Sequence, residues 1–174
     1  MTPQRAITSL LVLLLSTTGA IAAGSAPAQL RGKSVTIVWD ESGTYKRSSD
    51  GQQRSAVGRL SRIVYISDAG RAFVRGTSVS GTFGNTRETG PEGTGGSVDF
   101  SGNSMTSFRV NRGVARRLVV TFDPAFSSCT GTLTIGKSGP GTTIKGFDGQ
   151  IYEVLSMQPG TISCSIRAGN AFAN

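Results

Sequence analysis

Whatever chemistry this chain performs has to be built from ten carboxylates, four lysines, three tyrosines, two cysteines and many hydroxyls, because it has no histidine. That absence removes Ser-His-Asp and Cys-His catalysis, histidine metal ligation and a histidine pH switch together. An acid pair of the glycosidase kind needs two carboxyl groups at a set separation. Asp99, Asp123, Asp148 and Glu153 lie in or beside expected strands and are the candidates for such a hydrolase. Their spacing identifies no pair that would meet, and turn or strand-end duty is the competing role of such acids. Ser-Lys catalysis meets a similar obstacle. Lys33 and Ser34, like Lys137 and Ser138, are neighbours whose side chains alternate across a strand. Gly32-Lys33-Ser34 is similar to the end of a phosphate-binding loop, but the upstream Gly is missing and no helix pattern follows. It starts a strand. No catalytic residue, metal or cofactor is assigned, and the expected function is non-catalytic.

Charge is the stronger signal. The chain carries 18 Lys and Arg against 10 Asp and Glu, a formal net charge of +8. Most of the cations are Arg, whose planar fork suits phosphate and carboxylate groups. Arg59, Arg62, Arg71 and Arg75 fall on one expected hairpin, and Arg109, Arg112, Arg116 and Arg117 on a neighbouring strand pair. These eight are the candidate anion-binding residues, with an acidic glycan or an anionic lipid surface as partner. The competing reading makes them a solubility device on a Gly/Ser-rich surface. The aromatic motifs of RNA-binding sheets are absent, so no specific nucleic-acid reading is expected.

The elements that must position these groups are strands. No stretch after the N-terminal segment keeps a 3.6-residue apolar period. Short alternating runs punctuated by Gly, Asp, Asn and Pro recur instead, which marks an antiparallel all-β domain. Strands are expected at about 33–40, 59–67, 71–76, 97–101, 104–111, 114–123, 128–136, 143–147, 150–157 and 161–168. Asp68-Ala69-Gly70 reads as a three-residue turn with Gly in the left-handed position. That turn fixes a register pairing Ile66 with Ala72, Tyr65 with Phe73 and Val64 with Val74. Residues 76–97, rich in Gly and nearly free of apolar side chains, read as a long flexible loop. A single domain from about 30 to 174, with 8–10 short strands, is expected. Short connections between successive strands favour a lipocalin-like barrel over a sandwich. A barrel with an open mouth would make a small-ligand binder the alternative function.

Two cysteines, Cys129 and Cys164, sit among alternating apolar residues, so both sulfurs are expected to point inward and to form a buried structural disulfide. The chain opens with a basic stretch ending at Arg5, an apolar run centred on Leu10 to Leu15, and small residues offering cleavage after Ala22 or, alternatively, after Ala28. Ser16-Thr17-Thr18-Gly19 ends the apolar run before it reaches the roughly 20 residues that span a bilayer. A signal peptide over 1–22 and an exported, periplasmic or secreted, product without a transmembrane segment are expected. A disulfide agrees with that compartment.

Leu30 to Glu41 (LRGKSVTIVWDE), Ala115 to Asp123 (ARRLVVTFD), Phe126-Ser127-Ser128-Cys129 and Ile162-Ser163-Cys164-Ser165 resemble a family of exported bacterial β-rich proteins. The resemblance implies export and a bacterial source. The family has no assigned activity, so it transfers no site.

Overall fold

The computed structural model describes residues 25–172 except 81–85, 92–95, 112, 138 and 147, and the side chains of 77–80 and 86–91 and of Gly96 are outside the description. The N-terminal segment with its expected signal peptide and both the Arg112 and Ser138 candidates therefore lie outside the described residues. Ten strands follow a short 3-10 turn at Ala28–Leu30. They are β1 (Lys33–Arg47), β2 (Gln53–Ile66), β3 (Ala72–Ser80), β4 (Thr86–Pro91), β5 (Gly96–Ser101), β6 (Ser104–Asn111), β7 (Val114–Phe122), β8 (Cys129–Lys137), β9 (Thr143–Lys145) and β10 (Ile151–Ala168). No helix among the described residues is long and apolar enough to cross a membrane.

The strands form a six-stranded sheet in the order β4-β3-β2-β1-β10-β9 and a four-stranded sheet in the order β5-β6-β7-β8. Every pairing within them is antiparallel. The fold is all-β as expected, and the described pairings make two separate sheets with no closed ring between them. Val35, Ile37 and Trp39 of β1 and Val64 and Ile66 of β2 share one core with Val98, Phe100, Met105, Leu118, Val120 and Phe122 of the smaller sheet. Leu30 is fully buried in the same core, next in sequence to the first strand. Cys129 on β8 and Cys164 on β10 form the disulfide, with Cα atoms 5.6 Å apart, and so tie one sheet to the other. Both cysteines are half-buried rather than buried, because β8 and β10 meet near the rim of the core.

The β2–β3 hairpin has the expected register, with Gly70 at φ 79°. Several strands run differently from the sequence expectation, β2 among them, which begins at Gln53 rather than 59. β1 continues past Asp40 to Arg47, because its inner-face positions simply switch from apolar to Glu41, Gly43 and Tyr45. β10 spans what reads as two strands. Its pairing with β1 shifts register between Trp39 and Glu41, where Gly160-Thr161 form a bulge beside Pro159. It shifts again between Thr44 and Tyr45, where Leu155 is the extra residue, so the strand continues past Pro159. The expected loop at 76–97 contains the end of β3, all of β4 and the start of β5. Backbone pairing, which needs no apolar side chains, extends the sheet there.

Candidate functional site

Strand parity sorts the candidate arginines into inside and outside. On β7, Val114, Leu118, Val120 and Phe122 are buried, and Arg116 shares their parity. On β1, Glu41 shares the parity of Val35, Ile37 and Trp39. The two side chains meet across the gap between the sheets. Arg116 Nε donates to Glu41 Oε2 at 2.8 Å and Nη2 to Oε1 at 2.6 Å. Only 14% of the Arg116 side chain and 10% of the Glu41 side chain stay exposed. Trp39 Nε1 adds a longer contact to Glu41 Oε2 at 3.4 Å. Tyr45 lies close enough for both charges to act on it. Its phenol is pushed above the ordinary value of 10.0, first by burial and then by Glu41, while Arg116 pulls the other way.

This ion pair sits between two apolar clusters. Trp39 and Leu118 belong to the larger one, whereas Tyr45, Val114, Tyr152 and Val154 form the smaller. Arg109, half-buried on β6, is the direct cross-strand neighbour of Arg116. Arg62 is only 5% exposed and donates through Nη1 to Ser107 Oγ on β6 at 2.8 Å. Arg109 shares the inner parity of Met105 and Ser107 on β6, so it leaves the expected anion-binding surface. Arg62 and Arg116 leave it as well and serve between the sheets. Their parity with Val64 and Ile66, and with Val114 and Leu118, was the signal in the sequence that could have placed them.

The remaining candidates divide between two outer faces. Arg59 is 70% exposed on the outer face of the six-stranded sheet, 3.7 Å from Asp40. Arg71 is exposed beside the hairpin turn, with its guanidinium carbon 5.9 Å from the Phe73 ring centre. Arg75 lies 4.7 Å from the Phe172 ring centre and donates to the Phe172 carbonyl at 3.3 Å. Arg117 is exposed on the outer face of the four-stranded sheet. Register extends the comparison. Lys46, Arg59, Arg75, Lys145 and Arg167 occupy outer positions of the larger sheet, against Asp40 and Glu153. On the smaller sheet Arg117 is balanced by Asp99. Among the described side chains, the cationic surplus belongs to the face of the larger sheet.

The acid candidates are not brought together. Asp123 accepts the N–H groups of Ser127 and Ser128 and the Ser127 hydroxyl, closing the β7–β8 turn, and these bonds lower its pKa. Asp148 accepts the Tyr152 hydroxyl at 2.6 Å and the Gln150 N–H, which lower its pKa likewise. Asp99 is exposed on β5 and Glu153 is half-buried on β10. Asp50 is lowered to about 2, chiefly by its bond with Arg47 at the tip of the β1–β2 hairpin. Ser34 is buried away from Lys33, donating to the Gly169 carbonyl and accepting the Ala171 N–H. Lys137 donates to the Leu155 carbonyl at 3.3 Å. Among the described residues no group of three or more His, Cys, Asp or Glu is placed to hold a metal ion.

Comparison with protein-family models and with curated proteins returns no match for this chain.

Proposed function

We propose that this protein is a non-catalytic, exported bacterial module that binds an anionic glycan or lipid surface of the cell envelope through the outer face of its six-stranded sheet. The observation that carries this reading is the unequal charge of the two outer faces described above. A sheet face that gathers cations while its opposite number is balanced is suited to a polyanion, because exposed charges reinforce one another within a screening length. A two-layer sandwich, with Cys129–Cys164 as the staple between layers, suits such a role better than a lipocalin-like barrel. Two apolar clusters, each shared by the two unclosed sheets, support the sandwich. Export draws support from the disulfide. Cleavage after Ala22 is favoured over Ala28, because Ala26 packs in the core and would be lost with the later site.

The test is retention of the protein, cleaved after Ala22, on polygalacturonate, phosphatidylglycerol vesicles and DNA at low and near-physiological salt. Arg59→Glu with Arg167→Glu reverses the charge of the proposed face, and Arg117→Glu makes the balanced face acidic. The first variant should lose salt-sensitive binding and the second should keep it. Equal behaviour of the two, or no retention of any anionic probe at low salt, overturns the reading.

A further inference from the structure

The outer face of the six-stranded sheet carries one cluster unlike the rest of it. Tyr65 and Phe73 are cross-strand neighbours on β2 and β3 with ring centres 6.3 Å apart and planes 28° from parallel. Phe172, from the segment after β10, sets its ring edge-on to Tyr65 at 6.3 Å. That segment is anchored at Ser34, which bonds both Gly169 and Ala171. Arg71 and Arg75 flank the rings over Phe73 and Phe172. All three aromatics are half-buried rather than buried. One outer step along the sheet from Tyr65, Thr36 lies beside Ile63 and Ser165 beside Thr36.

We infer that this cluster is the contact point for an acidic oligosaccharide, a deepening that rests on the function proposed above. Each part meets a different feature of such a ligand. Aromatic rings accept the C–H face of a pyranose by dispersion and burial. Guanidinium groups donate charge-assisted hydrogen bonds to its carboxylate. Neighbouring hydroxyls exchange hydrogen bonds with those of the sugar. A lipid headgroup uses the cations but leaves the rings without a partner, and a bare phosphate chain does the same. The sugar acid uses all three.

Titration calorimetry of the protein with oligogalacturonate, and with an uncharged oligogalactose of equal length, tests the assignment. Only the acid should bind. Arg71→Ala, on an exposed side chain, should weaken binding about tenfold, the loss of one charge-assisted hydrogen bond. Phe73→Leu keeps apolar bulk but removes the ring, and should weaken binding about threefold to tenfold. Thermal melts confirm that both variants fold. If both bind like the parent while Arg59→Glu with Arg167→Glu does not, the face binds anions elsewhere and this cluster is excluded. If single-stranded DNA or anionic vesicles bind more tightly than the glycan and respond to Arg71→Ala equally, the sugar assignment is overturned. If no anionic probe binds even at low salt, the underlying function falls first.

Discussion

Replacing Glu41 by Gln is the most searching perturbation of this fold. It keeps the shape of the side chain but leaves the Arg116 guanidinium between the sheets without its counter-charge, directly across the strand pair from Arg109. Removing one partner of a buried ion pair costs roughly 3–5 kcal/mol. With 14% and 10% of the two side chains still exposed, the lower end applies, so about 3 kcal/mol is expected. For a domain of this size that is a fall in Tm of about 6–12 °C. Arg116→Met should cost a similar amount by stranding Glu41. The double variant should recover much of the loss, because an apolar pair desolvates no charge. Urea unfolding followed by the fluorescence of Trp39, the single tryptophan, and by circular dichroism measures all three. Single-variant losses below about 1 kcal/mol, with no coupling between the sites, are the behaviour of a solvated surface bridge. That result would refute the claim that this pair joins the sheets across a desolvated gap.

Reduction of Cys129–Cys164, which closes a loop of sequence separation 35, should remove about 4 kcal/mol on the chain-entropy model and lower Tm by roughly 10 °C. An unchanged melting curve after verified reduction would contradict it. Gly43→Ala should destabilise by about 1–3 kcal/mol, because a Cβ there would lie 2.5 Å from the hydroxyl oxygen of the buried Tyr45 ring. Chemical denaturation reads that loss directly. Because the folded state raises the Tyr45 pKa above 10.0, its stabilising effect is full below about pH 10 and is lost as pH rises through the folded value. Tyr45→Phe should therefore flatten the alkaline part of a stability–pH profile, and an identical alkaline profile in the variant would dismiss the effect.

The legible parts of the fold were those governed by short-range rules. The Asp68-Ala69-Gly70 turn set the β2–β3 register because a left-handed glycine and period-two alternation leave little freedom. The disulfide was legible because only two cysteines exist. β4 was not, since a polar strand at a sheet edge is held by backbone hydrogen bonds that carry no sequence pattern. Nor was the continuity of β10 through Pro159, which depends on a bulge tolerated by the neighbouring strand.

The arginines divide along the same line. Composition alone established a basic, Arg-rich chain without histidine, and parity placed Arg116 on the same strand face as Val114 and Leu118. Whether that face could hold a charge depended on Glu41, 75 residues away, arriving opposite it from the other sheet. The gathering of cations on one outer face, and the folding of Phe172 back over Tyr65 and Arg75, likewise join residues from distant strands. A sequence fixes which way a side chain points from its own strand, because the pleat alternates by geometry. What that side chain meets is decided by the packing of sheets, where electrostatic and dispersion energies depend on distances that local pattern does not encode.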